Sequence, residues 1–161
     1  EDAKTIPWGI AMLIGGGLAI ASAFKESDLA TWIGLNLNLE GIPMFLVMLI
    51  VVAGMVFLTE INSNTASTAI FLPVLAGVSQ AGNFHPYLLM IPATIAASCA
   101  FMLPSGTGPN ASILASGYVT IPEMAKCGFW LNLIAIGVIV ILLYFIIIPL
   151  LGVSAGAPNW M

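Results

Sequence analysis

The chain has 161 residues, of which 60% are hydrophobic and only 6% are charged, and its formal net charge is −4. Soluble domains carry roughly a quarter of charged residues, and so few charges cannot cover the surface of a soluble globule. Only helices and closed barrels satisfy the backbone in lipid, and the long apolar stretches favour an all-α integral membrane protein in a lipid bilayer. Soluble enzymes are excluded, and the absence of a basic surface excludes nucleic acid as a partner.

The first predicted element is a membrane-spanning helix over residues 6–24. A helix crosses the hydrocarbon of a bilayer with about 20 mostly apolar residues. Thr5 can cap this helix, Pro7 lies in its first turn where no N–H is needed, and Lys25 ends it in water. The glycine run at 15–17 would let another helix approach closely.

The second predicted element is a re-entrant helical hairpin over residues 42–81 with its tip near 63–65. Residues 41–59 carry no charge and lead into a dense polar cluster that ends at Thr68. The apolar stretch Ala69–Val78 is only about half as long as a bilayer crossing requires, so it is expected to leave on the side of entry. In the alternative interpretation, residues 41–59 cross the membrane completely and the polar cluster is an ordinary loop.

A discontinuous transmembrane helix is predicted over residues 87–121, with a break near 104–109. The hydrophobic stretch Tyr87–Leu103 ends in the run PSGTGP, in which prolines remove backbone donors and glycines weaken the helix. A last span is predicted over residues 126–149. Its almost purely aliphatic composition predicts that it faces lipid over much of its surface.

Two interrupted hydrophobic segments, each with small polar residues at its break, are typical of binding sites in secondary transporters. Helix N-termini offer unpaired N–H groups to an anionic carboxylate, and free carbonyl and hydroxyl oxygens can bind a hard cation such as Na+. Neither kind of site needs a formal charge, and residues 61–122 contain no Asp, Glu, Lys or Arg. Channels also contain broken helices, so the pattern alone leaves the type of transport open.

Two motifs resemble signatures of the divalent anion/sodium symporter family, which includes the bacterial sodium-dicarboxylate symporters. Ser63-Asn64-Thr65 resembles the Ser-Asn-Thr signature of that family. The run from Ala96 to Pro104, which continues through Thr107 to Pro109-Asn110-Ala111, is similar to the second signature. The first span with its triple glycine also fits, so the resemblance covers nearly all of the chain.

The resemblance implies that this chain is the closing portion of a second inverted repeat. The first Ser-Asn-Thr hairpin would then lie in a missing N-terminal half of the same transporter, and the abrupt start at Glu1 is what we expect of a fragment. By the same resemblance we expect a homodimer, multi-pass in the inner (plasma) membrane of the cell. It would move a dicarboxylate or related divalent anion, coupled to Na+, by an elevator-like mechanism.

The resemblance also implies a set of site residues. A substrate carboxylate would contact Asn64, Thr65 and Thr107. Na+ would bind the side chain of Asn64 and the backbone oxygens of Thr59, Asn62 and Gly106. Supporting positions would be Ser63, Gly108, Pro109 and Asn110. The sequence departs from the family at Thr107-Gly108, where a Thr-Pro pair is expected in dicarboxylate transporters; glycine loosens this loop and leaves the identity of the anion open.

Some of these residues have simpler interpretations. Asn64 and Thr65 would in that case only cap the second arm of the hairpin, and Thr107 would only satisfy backbone groups that the prolines leave free. Glu60 is the single acid between Glu40 and Glu123. An acid at membrane depth is a functional candidate by default. For Glu60 we expect a structural role instead, accepting backbone N–H groups near the hairpin turn or pairing with the missing half.

Four other functions compete with Na+-coupled symport. An anion exchanger or a Na+/H+ antiporter of a related fold is possible, but an exchanger that replaces Na+ by a fixed positive charge would need Lys or Arg near a motif, and none lies there. A non-transporting membrane scaffold subunit would explain the hydrophobicity but not two polar breaks. An intramembrane enzyme would need a nucleophile with a base, or a metal cluster, and the sequence has no such pairing.

Overall fold

The computed structural model describes residues 42–150 without a gap, together with residues 12, 15–16, 19, 22–23, 26–29, 32 and 152. The predicted first span, residues 6–24, therefore lies largely outside the described residues. The regular elements are helices: α1 Met44–Ile61, α2 Asn64–Ala81, α3 Tyr87–Ala96, α4 Gly108–Ala115 and α5 Ile121–Leu142. A π-helical turn at Leu143–Ile147 and a short helix at Ile148–Leu150 continue α5. The described part of the chain is all-α, as predicted.

Helices α1 and α2 are separated by only two residues, Asn62 and Ser63, both in extended conformation. The Asn62 N–H still bonds to the carbonyl of Leu58 and ends α1. The hydroxyl of Ser63 then accepts the N–H of Ala66 at 3.2 Å, an N-cap that starts α2. We refer to residues 62–63 as the α1–α2 junction.

Within the described residues, two helical segments are long and apolar enough to cross a membrane by length and composition, namely α1 and the continuous helix over Ile121–Leu150. The 18 residues of α1 would extend about 27 Å at 1.5 Å per residue. This length agrees with a complete crossing and equally with a tilted hairpin arm.

Helix α3 ends at Ala96, and the chain does not become helical again until Gly108. We refer to residues 97–107 as the α3–α4 linker. It begins well before the Pro- and Gly-rich run in which the sequence places the break. After α4, the chain turns at Gly117, whose φ of +76° is a left-handed conformation that glycine adopts without a steric cost.

Helix α5 begins at Ile121, five residues before the predicted start of the last span at 126. Its first turn is fixed by Glu123, whose Oε2 accepts the Thr120 N–H at 2.9 Å and the Thr120 hydroxyl at 2.6 Å. The π-helical turn near its end lies just before Pro149, which has no N–H to donate to the helix.

Helices α1 and α3 pack against each other, and each of them also contacts α2 and α5. The buried core includes Met48, Val52, Val56, Leu89, Ala93, Ile139 and Val140. In α1 the core extends to Val56, one turn before Glu60, and in α3 it extends to Ala96, at the start of the linker. The packed core therefore positions the polar residues that follow.

Candidate functional site

Glu60 lies in the last turn of α1 and is only 3% exposed. Its Oε1 accepts the N–H groups of Phe101 at 2.8 Å and Met102 at 3.0 Å, and its Oε2 accepts those of Met102 at 3.1 Å and Leu103 at 2.9 Å. These are linker N–H groups that a continuous helix would have satisfied internally. The expectation that Glu60 accepts backbone N–H groups is confirmed, but the donors belong to the α3–α4 linker and not to the hairpin turn.

Two further side chains complete the surroundings of Glu60. Asn132 of α5 is fully buried and donates from Nδ2 to Glu60 Oε1 at 2.7 Å. The hydroxyl of Ser105 donates to the carbonyl of Glu60 at 3.2 Å. Helix α1, the linker and α5 therefore meet at one residue. Sequence reasoning missed Asn132, although one amide in an otherwise aliphatic span is a signal that it has a partner.

Thr59 makes a second connection between α1 and the linker. It is fully buried, and its hydroxyl oxygen lies 2.9 Å from the carbonyl oxygen of Ala97 and within hydrogen-bond distance of Asn64 Oδ1. A hydroxyl has one proton, so Thr59 donates to one of these oxygens at a time. The side chain links the start of α2 to the start of the α3–α4 linker.

Asn110, in the first turn of α4, bonds back to two carbonyl groups of the α3–α4 linker. Its Nδ2 donates to the carbonyl oxygens of Ala100 at 2.8 Å and Leu103 at 3.0 Å, and its side chain is buried. Its backbone N–H bonds to the hydroxyl of Thr107 at 3.4 Å, which makes Thr107 the N-cap of α4. The predicted supporting residue Asn110 thus has a structural task, and Gly108 and Pro109 form the first turn of α4 beside it.

Two glycines allow the close approach of these elements. A Cβ added at Gly106 would lie 2.8 Å from the Cβ of Ala100 and 3.4 Å from Glu60 Oε2. A Cβ added at Gly128, on α5, would lie 2.3 Å from the carbonyl oxygen of Phe101. The linker is therefore in direct contact with the backbone of α5 on one side and with the Glu60 carboxylate on another.

The predicted substrate residues retain donors that nothing in residues 42–150 uses. Asn64 and Thr65 are the first two residues of α2; Asn64 is half-buried and Thr65 is exposed. Ser63, not either of these two, caps the helix. The Asn64 amide nitrogen and the Thr65 hydroxyl make no hydrogen bond to a described residue, and the Thr107 hydroxyl accepts a bond but donates none.

Of the four predicted Na+ ligands, Asn64 Oδ1 lies within hydrogen-bond distance of the Thr59 hydroxyl, and the other three are unused within residues 42–150. Among the described residues, no N–H or hydroxyl donates to the carbonyl oxygens of Thr59, Asn62 or Gly106. Groups of three or more His, Cys, Asp or Glu that could hold a metal are absent from the same residues. The predicted ligands are all neutral oxygens, and the bonds of Glu60 to Leu103 and Ser105 hold the last turn of α1 beside Gly106.

Comparison with known proteins identifies the family. The family model for the sodium:sulfate symporter transmembrane region matches residues 2–153. The chain belongs to the sodium:sulfate symporter family. Membership confirms the resemblance noted in the sequence, and because this is a family of membrane transporters it also confirms that the chain is not that of an enzyme.

Curated members of the sodium:sulfate symporter family include close relatives of this chain. The sodium-dependent dicarboxylate transporter SdcS of Staphylococcus saprophyticus is 49% identical over 159 residues, which is 98% of this chain. SdcS of Staphylococcus aureus strain MRSA252 is 46% identical over 159 residues. The chain spans 31% of the length of these relatives and corresponds to their C-terminal part.

Proposed function

We propose that the protein containing this chain transports a dicarboxylate or related divalent anion, coupled to Na+, across the inner (plasma) membrane of the cell. The observation that carries this proposal is the direct bonding of the C-terminal end of α1 to the α3–α4 linker through Thr59 and Glu60. In this proposal the bonding brings two sets of unused polar groups into one site. The names of the relatives, sodium-dependent dicarboxylate transporters, supply the substrate class.

In this proposal the anion binds to neutral donors. The Asn64 amide nitrogen and the hydroxyls of Thr65 and Thr107 would donate to a substrate carboxylate. Hydrogen bonds to a charged acceptor are roughly twice as strong as neutral ones, and the N-terminal ends of α2 and α4 add positive potential. The absence of Lys and Arg from residues 61–122 is consistent with recognition by neutral donors.

Na+ would bind Asn64 Oδ1 together with the carbonyl oxygens of Thr59, Asn62 and Gly106. Unwound backbone carbonyls beside broken helices are the Na+ ligands that transporters of this general design use. The amide of Asn64 would then serve both solutes, with Oδ1 on the cation and Nδ2 on the anion. Because Na+ fixes the orientation of the amide, its binding orients the donor for the substrate, and this couples the two affinities.

We further propose the arrangement in the membrane. Helices α1 and α2 form a re-entrant hairpin, and α3, the linker and α4 form the discontinuous helix of the second inverted repeat. The hairpin and the discontinuous helix move together, elevator-like, against a scaffold in a homodimer. The remainder of the same transporter supplies the other half of the binding site.

The test is uptake of labelled succinate by proteoliposomes that contain the complete protein, with an inward Na+ gradient or with K+ in its place. We expect accumulation with Na+ only. Asn64→Ala and Thr107→Ala should each lower uptake about 10- to 100-fold, because a lost hydrogen bond to a charged group is worth about 1.5–3 kcal/mol. Thr94→Ala is the matched control, since the hydroxyl of Thr94 is exposed and bonds within α3.

Other outcomes separate the alternatives. Uptake that ignores Na+ but requires internal dicarboxylate would support an exchanger and overturn Na+ coupling. Normal uptake by both alanine variants would remove these residues from the site. Folded protein that shows no succinate uptake would exclude succinate as the substrate, and the same assay would then be run with sulfate and citrate.

A further inference from the structure

We propose that Glu60 is a positioning residue for the Na+ site. Its carboxylate holds the α3–α4 linker in the geometry that keeps Gly106, and with it the Gly106 carbonyl oxygen, beside the C-terminal end of α1. This inference rests on the proposed function, because Gly106 is one of the oxygens assigned to Na+ there. Glu60 acts through the backbone of the linker and contacts neither solute.

The hydrogen bonds of Glu60 exclude a direct role as a ligand. A carboxylate has about four lone-pair sites, and four donors occupy them: the N–H groups of Phe101, Met102 and Leu103 and the amide of Asn132. All four donors are neutral. The side chain is also almost completely buried, so no free oxygen is directed toward a bound ion.

The hydrogen bonds of Glu60 also constrain Gly106, the residue whose carbonyl oxygen is assigned to Na+ in the proposed site. Three consecutive linker N–H groups are held by the carboxylate, and Ser105 is held by the Glu60 carbonyl. The Gly106 N–H bonds back to the carbonyl of Leu103 at 3.1 Å. A Cβ at Gly106 would already contact Glu60 Oε2 at 3.4 Å. A displacement of the carboxylate therefore displaces Gly106.

Helix α5 is bonded to the Glu60 carboxylate through Asn132. Its Nδ2 donates to Glu60, while its Oδ1 is buried without a hydrogen-bond partner in the described part of the chain. The amide thus contributes through its donor, which opposes any movement of the carboxylate away from α5. Gly128 on the same helix lets the linker approach α5 closely enough for the Glu60 carboxylate to bond both to the linker and to Asn132.

The first variant is Glu60→Gln in the complete protein. Glutamine has the same shape, but one carboxylate oxygen becomes an NH2 group that opposes backbone N–H donors instead of accepting from them. We expect the Na+ concentration for half-maximal succinate uptake to rise about tenfold, while the maximal rate at saturating Na+ changes much less. Glu123→Gln is the matched control, because Glu123 is exposed and, among the described residues, its carboxylate bonds to Thr120 alone.

A double variant that exchanges the carboxylate of Glu60 with the amide of Asn132 distinguishes the position of the carboxylate from its charge. Glu60→Gln combined with Asn132→Asp keeps one negative charge in the pocket but takes the carboxylate away from the linker N–H groups. We expect the double variant to remain impaired in Na+ dependence. Recovery of the wild-type Na+ dependence would show that charge alone matters and would overturn the positioning role.

Hydrogen exchange followed by mass spectrometry measures the protection of the linker N–H groups and does not depend on transport. In Glu60→Gln we expect faster exchange at residues 101–103 and unchanged protection of α1. If Glu60→Gln does not fold, Asn132→Ala removes one donor only, and a smaller rise in the half-maximal Na+ concentration is expected; no rise would overturn the inference. If the wild type shows Na+-dependent uptake and Glu60→Gln has the same Na+ dependence, the positioning role is refuted and the proposed function stands. If the wild type itself shows no Na+ dependence, the proposed function is refuted.

Discussion

Glu60 and Asn110 bind the two kinds of polar group in one stretch of backbone. Glu60 accepts the N–H groups of residues 101–103, and Asn110 donates to the carbonyl oxygens of Ala100 and Leu103. The two side chains replace the hydrogen bonds that a helix would have formed there. The α3–α4 linker is therefore a defined structure and not a loose connection, and it depends on a few side chains that can be changed singly.

Asn110→Ala is expected to lower the free energy of unfolding by about 1–3 kcal/mol, because the buried carbonyl of Ala100 loses its donor and the carbonyl of Leu103 keeps only the Gly106 N–H. Asn110→Asp should be worse, since its oxygens would face the carbonyl oxygens of Ala100 and Leu103. Thermal unfolding of the purified protein in detergent, followed by tryptophan fluorescence, measures both. Ser112→Ala on the exposed side of α4 is the control. An unfolding temperature equal to that of the wild type for Asn110→Ala would contradict this role.

Gly128→Ala is expected to destabilise the protein although alanine favours helices. The added Cβ would lie 2.3 Å from the carbonyl oxygen of Phe101, and backbone cannot give way as a flexible side chain can. Gly137→Ala on the same helix meets nothing within 4 Å and should be neutral or stabilising by up to about 1 kcal/mol. The pair is compared by thermal unfolding. Equal effects of the two substitutions would mean that α5 and the linker are not in contact.

Thr59→Val keeps the shape of the side chain and removes its hydroxyl. The carbonyl of Ala97 and Asn64 Oδ1 then lose their shared partner, and we expect a loss of about 1–2 kcal/mol in unfolding free energy. Thr59→Ser retains the hydroxyl and should lose less. Unfolding in a denaturant series compares the two variants, and the idea fails if serine is as destabilising as valine.

The sequence allows prediction of the interruptions better than of their extent. The polar cluster after Thr59 predicts an interruption that the structure has at Asn62 and Ser63, because capping chemistry is local and visible in the residue types. The start of the α3–α4 linker at Ala97 is not predictable in this way. Ala97 and Ala100 favour helix, but the N–H groups that follow bond to Glu60, more than forty residues earlier, and this tertiary contact overrides the local preference.

The candidate site follows the same rule. Asn64, Thr65 and Thr107 are recognisable from short motifs, whereas Asn132 is recognisable only through its contact with Glu60. A lone amide in an aliphatic helix indicates that a partner exists, but its spacing along the chain does not identify that partner. The side chains that hold the linker could therefore be identified only from the three-dimensional structure.

The position of Glu60 ahead of its partners also sets an order for assembly. During synthesis this acid emerges 41 to 43 residues before the three linker N–H groups that bind it. At about 5–20 residues per second, the delay is roughly 2 to 9 seconds. In the proposed membrane arrangement an unpaired carboxylate would be costly in hydrocarbon, so the end of α1 would stay in contact with water or with the insertion machinery during that interval. Burial of this part of the protein in the bilayer would then be completed only after the α3–α4 linker has been made.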